Sequence, residues 1–191
     1  MNIKKPGSAL YVIGERKDEC GGSAYYEVLE QLLGAPRDAL LGASMPQPSF
    51  DDVARQMRLV IDASRSGLLL SCHDISDGGM LLALFEMLMP VRKEGGTIGI
   101  ELDLDALRSP LAADKLLFSQ SPGFIVEVPG EQVENFLALG KRHTIEAKRI
   151  GTTVASAAMN IRHKDATVLH EPLSTLKALW EDSVSKALDC Q

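Results

Sequence analysis

Short apolar runs and longer periodic stretches alternate along the chain, the pattern expected of strands interleaved with helices. Residues 8–13, Ser-Ala-Leu-Tyr-Val-Ile, read as a strand, followed by a charged loop over Gly14–Gly22. Ser23 is placed to cap a helix that runs to about Leu33, with Gly34 as its C-cap. The stretch 34–48 carries Gly34, Pro36, Gly42, Pro46 and Pro48 and reads as a long connection. Ser49, with Asp52 three residues on, forms a capping box for a helix that ends near Arg65. Val53, Met57, Val60 and Ile61 are its expected inward face.

The apolar run Leu68–Leu70 reads as a buried strand, and Met80–Met89 as an apolar helix opened by Gly78-Gly79 and stopped by Pro90. Gly95-Gly96 marks a turn before a strand over Thr97–Leu102. One helical turn is expected at Leu104–Leu107, a short helix over Leu111–Leu117, and a strand over Phe124–Val128. After Pro129-Gly130, residues Glu131–Gly140 read as a helix with Val133, Phe136 and Leu137 inward. Thr144–Ile150 and Thr153–Ile161 look like two strands joined at Gly151, with Thr167–Leu169 a further strand. Pro172 suits the first turn of a last helix that runs to about Leu188 before the end of the chain frays. The fold class expected is α+β, or α/β-like, with one mixed β-sheet carrying packed helices.

The chemistry concentrates between the strand at 68–70 and the helix at 80–89. His73, Asp74, Ser76 and Asp77 fall within five positions, just ahead of Gly78 and Gly79. A strand, a polar turn and a helix N-terminus suit an anion, because unpaired N–H groups and the helix dipole face it. Glycines let backbone approach a ligand closely. Aspartates supply the hard oxygens that Mg²⁺ prefers. The same residues also make ordinary helix caps and turns, Asp77 being the natural N-cap. His73 reads as a hydrogen-bonded histidine ending a strand, and Cys72 as a core residue. Gly21-Gly22-Ser23 reads as a loop and cap, with a small anion cradle as the alternative. His163 and His170 read as solvent-facing, and the basic residues of 141–149 as a solvated surface.

Composition narrows the function classes. The chain has 191 residues, 45% hydrophobic and 24% charged, enough for one domain with a real core. Net charge is −6 without a basic stripe, which argues against nucleic acid as a partner. Cys20, Cys72 and Cys190 are odd in number and lack metal-type spacing, which argues for a reduced, cytoplasmic setting. No apolar run approaches the ~20 residues of a membrane helix, and Met1–Pro6 is not a signal peptide.

His73-Asp-Ile-Ser-Asp-Gly-Gly79 resembles the His-Asp-x-Ser-Asp-Gly-Gly motif of phosphoribosylformylglycinamidine synthase, in the aminoimidazole ribonucleotide synthetase superfamily. Lys5–Tyr11, Gly14–Tyr26 with its Gly-Gly-Ser, Leu117–Ser121, and Leu176–Asp182 with Trp180 are similar to further segments of the same C-terminal-type domain, in the same order. The motif form resembles the second of two such domains in the enzyme. The resemblance implies an ATP-dependent ligase of purine biosynthesis that phosphorylates the amide oxygen of formylglycinamide ribonucleotide and displaces phosphate with glutamine-derived ammonia. It implies Asp74 as a Mg²⁺ ligand, with Ser76, Gly78 and Gly79 at an auxiliary ATP or ADP. It assigns no catalytic residue to these 191 residues. Those would lie in an ATP-binding-type domain and a glutaminase domain, the implied partners. Residues 1–7 would be the linker from the former, 1–191 a single domain, and the chain alone inactive.

Gln120 stands where the family usually has Glu, and Gly123-Phe124 where Ser-Arg is common, which puts that loop in doubt as a ligand site. Cys20 stands where the family usually has an apolar residue. The rival readings are a packing or homodimerisation module without ligand, and a domain of another superfamily member such as selenophosphate synthetase. The Gly-Gly-Ser-x-Tyr-Tyr segment argues against the latter.

Overall fold

A computed structural model of the chain describes residues 1–40, 42–89 and 97–189, with side chains up to 182. The expectations at Pro90, Gly95-Gly96, Cys190 and the fraying end fall outside these residues. Seven strands form one sheet: β1 (Ala9–Ile13), β2 (Ser71–Asp74), β3 (Gly99–Asp103), β4 (Phe124–Val128), β5 (Lys148–Val154), β6 (Ala158–His163) and β7 (Ala166–Pro172). Their order is β2-β4-β1-β5-β3-β6-β7. Among the described strands only β3 and β6 pair in parallel, so the sheet is mixed. Among the described residues six α-helices accompany it: α1 (Ala24–Leu33), α2 (Phe50–Arg65), α3 (Gly79–Leu88), α4 (Ala113–Phe118), α5 (Val133–Arg142) and α6 (Leu173–Asp189).

The period of two along a strand explains how β1 serves two cores. Leu10 and Val12 join Ile100, Ile125 and Ile150 under α3, α4 and the start of α6. Ala9, Tyr11 and Ile13 join Val126 and Val128 under α2 and α5, through Leu59, Ala63, Phe136 and Leu139. All five β1 positions are buried. Helices on both faces of a mixed sheet bear out the expected fold class. The first residues are tied down: Ile3 is buried, and the amides of Lys4 and Lys5 donate to the buried Glu127 carboxylate at 2.8 and 3.1 Å.

Several boundaries differ from the hydrophobic pattern, each for a physical reason. The strand expected at 68–70 forms instead at Ser71–Asp74, because its inward residues are polar but partnered: Ser71 Oγ donates to Glu127 at 3.0 Å. The α2 face is rotated. Gln56, Leu59 and Ala63 are buried, whereas Met57 and Ile61 are 49% and 44% exposed. Gln56 lies over the Gly14 backbone, which turns Met57 away. Of the capping box, Ser49 accepts from the Asp52 amide at 3.4 Å, while the Asp52 carboxylate engages Arg55.

Gly151 does not join two strands but lies inside β5. A Cβ there would come within 2.1 Å of the Glu101 carbonyl, so β3 approaches where only glycine fits. Pro172 ends β7 rather than opening α6, and α4 starts at Ala113 rather than Leu111. His163, expected in solvent, is buried with Nδ1 2.8 Å from Asp105.

The rotation of α2 is testable by truncation. Leu59→Ala should cost about 2–5 kcal/mol in urea denaturation, while Met57→Ala should stay within about 0.5 kcal/mol. Equal costs would place Met57 in the core.

Candidate functional site

Strand register brings three loops to one end of the sheet. Ile13, at the end of β1, and Asp74, at the end of β2, both pair with Phe124, the first residue of β4. The loop after β1 (14–23), the turn after β2 (75–78) and the loop before β4 (119–123) therefore leave from the same edge. Polar contacts join them. The Ile75 amide donates to the Gly123 carbonyl at 2.8 Å, and Gln120 Nε2 donates to Asp77 Oδ1 at 2.7 Å. Glu19 is buried. Its carboxylate accepts from Ser121 Oγ at 2.6 Å and from the Gln47 amide at 3.2 Å, and its carbonyl accepts the Gln120 amide at 3.1 Å.

Within the turn, the fold engages some side chains and leaves others free. His73 is buried; its Nδ1 donates to the Asp74 carbonyl at 2.7 Å, and Nε2 lies 3.1 Å from the Glu86 carboxylate. That matches a hydrogen-bonded histidine ending a strand. Asp77 is not the N-cap. Gly78 holds that position at φ +74°, and Asp77 Oδ1 accepts from the Gly78 amide at 3.1 Å. No side chain caps α3, and its first turn carries no acid. Ser76 is exposed, and its carbonyl accepts the Gly79 amide at 3.0 Å. The Asp74 carboxylate is 64% exposed, with His73 Nδ1 3.5 Å away.

The glycine pair answers to close packing within the chain. A Cβ on Gly78 would strike the Leu82 side chain at 2.5 Å, and one on Gly79 the Leu117 carbonyl at 2.6 Å. Gly21 likewise lies against Ala43, where a Cβ would stand 1.8 Å from the carbonyl. Ser23 is the buried N-cap of α1, as the loop-and-cap reading has it. Tyr25 stacks on Phe118, rings 4.4 Å apart, and donates to Asp114 at 2.7 Å. Burial and that hydrogen bond push its phenol up to about 12. Lys115 closes the corner with its ammonium 4.4 Å above the Tyr26 ring and 3.2 Å from Asp18.

For a magnesium ion the donor set fits in part. Asp74 offers an exposed hard carboxylate, but among the described residues no group of three or more His, Cys, Asp or Glu gathers to hold a metal. One ligand is available here, and further oxygens would come from nucleotide, water or another domain. Cys72 is half-buried, and burial pushes its thiol up to about 11, which rules it out as a ready nucleophile. Cys20 is fully buried. His170 is exposed beside Asn160, as expected. In the basic cluster Lys141, Arg142 and Arg149 are exposed, and half-buried Lys148 donates to the Leu107 carbonyl at 2.8 Å. Arg16, Glu19, Glu30 and Glu127 are buried charges that the sequence pattern passed over; nothing in their local sequence sets them apart from exposed charges.

Residues 5–164 match the family model described as AIR synthase related protein, C-terminal domain. Phosphoribosylformylglycinamidine synthase subunit PurL of Methanothrix thermoacetophila is 32% identical over 188 residues, 98% of this chain and 22% of that protein. The PurL subunit of Thermoanaerobacter sp. strain X514 is 30% identical over 186 residues, 96% of this chain and 23% of that protein. The chain thus spans under a quarter of the length of these curated relatives. Among solved structures, T. maritima PurL complexed with FGAR superposes with a TM-score of 0.72 at 17% identity, covering 92% of this chain and 29% of that one. T. maritima PurL complexed with ATP gives 0.65 at 16% identity, covering 92% and 26%. Hydrogenase maturation protein HypE gives 0.52 at 18%, covering 88% and 53%.

Two measurements test this geometry. Glu19→Gln removes one acceptor from a buried pair of hydrogen bonds and should cost about 1.5–3 kcal/mol in chemical denaturation. In peptide mapping, Cys72 of the folded chain should resist iodoacetamide at pH 8, because its thiol stays protonated; rapid labelling would contradict the burial assigned to it.

Proposed function

The chain belongs to the AIR synthase related protein C-terminal domain family, and on that premise we propose that it is this domain of a phosphoribosylformylglycinamidine synthase, contributing part of a magnesium–nucleotide site. The whole enzyme would join ammonia from glutamine to formylglycinamide ribonucleotide at the expense of ATP. The domain spans 1–191, and residues 1–7 lead in from an ATP-binding-type domain. The catalytic groups belong to that domain and to a glutaminase. This chain alone has no turnover.

One observation carries the site assignment: the exposed Asp74 carboxylate and the exposed Ser76 stand on the turn leading into α3, whose N-terminus no side chain caps. The carboxylate takes one position on Mg²⁺, the Ser76 hydroxyl contacts phosphate, and the first amides of α3 after Gly78 and Gly79 face the nucleotide anion. The relatives' name and the T. maritima PurL complexes with ATP, ADP and AMPPCP support a nucleotide rather than another anion. Among the described residues no helix is long and apolar enough to cross a membrane.

The rival packing role also has an observation behind it. An apolar groove of about 550 Å³ runs beside the turn, walled by Leu81, Leu82, Phe85, Phe118, Leu179 and Trp180. In the reading proposed here the ATP-binding-type domain covers it.

Calorimetric titration of the chain with Mg²⁺ plus ADP, beside Asp74→Asn, tests the assignment. Affinity should fall at least about tenfold in the variant, the loss of a charged ligand interaction. Absence of binding to the chain, or equal binding by both proteins, would reject the half-site and leave the packing role.

A further inference from the structure

The turn between β2 and α3 has little with which to fix its own shape. Ser76 and Asp77 are exposed, and Gly78 and Gly79 take positive φ, at +74° and +67°. Glycine in that region has no side chain to anchor the backbone. The turn closes on itself through the Gly79 amide, which donates to the Ser76 carbonyl at 3.0 Å. The rest of its geometry is set from outside.

Two hydrogen bonds from the loop at 119–123 supply that outside support. Upstream of Ser76, the Ile75 amide donates to the Gly123 carbonyl at 2.8 Å. Downstream of it, Gln120 Nε2 donates to Asp77 Oδ1 at 2.7 Å, and the same oxygen accepts the Gly78 amide at 3.1 Å. Ser76 therefore stands between two anchors on one loop, and the Gly78 amide is tied to the second anchor through Asp77.

The loop is itself well fixed. Ser119 and Ser121 are 0% and 2% exposed, with their hydroxyls 2.9 Å apart. Ser121 Oγ donates to the buried Glu19 carboxylate at 2.6 Å. Gln120 lies between these serines, and its backbone amide donates to the Glu19 carbonyl at 3.1 Å. Its backbone is held while its side chain reaches across to the turn. The contact joins a neutral donor to an anion. A carboxylate of the same size at 120 has no N–H to give and would set a second negative charge against Asp77.

We propose that Gln120 is a positioning residue for the nucleotide site. Acting through Asp77, it presets the turn so that Ser76 and the first amides of α3 meet the phosphates, without touching the nucleotide itself. A site held ready in this way binds more tightly, because less ordering remains to be done at the moment of binding. The inference rests on the assignment of Asp74 and Ser76 to magnesium and nucleotide.

The test is calorimetric titration of the full chain with Mg²⁺ plus ADP, together with amide hydrogen exchange at Gly78 in the absence of nucleotide. The native chain is compared with Gln120→Glu and with the double variant Gln120→Glu, Asp77→Asn. Gln120→Glu keeps the side-chain size and loses the donor; it should weaken ADP at least about fivefold and speed exchange at Gly78. The double variant restores the pair with the donor on the opposite side, at the native net charge. Its affinity should return to within about twofold of native, with native-like exchange. Equal affinity in native and Gln120→Glu, or a double variant no better than the single one, would overturn the positioning role and leave the nucleotide assignment standing. Weaker affinity with unchanged exchange at Gly78 would mean simple repulsion of the anion, and would overturn it too. Absence of binding to the native chain would overturn the nucleotide assignment and this role together.

Discussion

Glu19 holds the loops at one end of the sheet together. A carboxylate excluded from water must find donors within the protein, and the donors it finds belong to separate segments. Ser121 Oγ comes from the loop before β4, the Gln47 amide from the connection before α2, and the carbonyl of Glu19 itself receives the Gln120 amide. Gln120 in turn reaches Asp77 in the turn after β2. Loops up to about 100 residues apart in sequence are fixed relative to one another through one buried charge. The sheet brings them to a common edge, and this network sets their spacing there.

The network also sorts the polar residues of the turn by what remains available. His73 is held between the Asp74 carbonyl and Glu86, and Asp77 is engaged by Gln120 and the Gly78 amide. Asp74 and Ser76 stay exposed, and the N-terminus of α3 keeps amides that no side chain caps. Gln120 is informative here. Glutamate, the residue the resemblance leads one to expect, would meet Asp77 as a like charge, whereas the amide donates to it. The departure therefore removes a charge and gains a tie between two loops. Gly123 is a second such case, since it leaves room for the Arg16 guanidinium.

Much of the architecture was legible where local chemistry decides the outcome. The end of β1, the Ser23 and Gly34 caps of α1 and the bounds of β4 follow from apolar runs, hydroxyl caps and glycine stops. The illegible parts are those in which tertiary partners override the pattern. The inward residues of β2 are polar, and a rule that seeks apolar runs puts the strand at 68–70 instead. The α2 face turns because Gln56 is buried against the Gly14 loop, and Gly151 reads as a joint although β3 is what requires it. His163 looked solvent-facing because its partner, Asp105, is 58 positions away in sequence. The turn that carries Asp74 and Ser76 was singled out by motif order; the burial of Arg16 and Glu19 was not legible, since a charged loop gives no sign of which charges go inside.

The account stands or falls on whether the edge shared by these loops is where nucleotide meets the chain. The most direct measurement is an amide chemical-shift map of the ¹⁵N-labelled chain during addition of Mg²⁺ plus ADP. The account expects the largest changes at 74–81, with smaller ones at 118–121. Changes confined to other parts of the sheet, or none at saturating nucleotide, would contradict it.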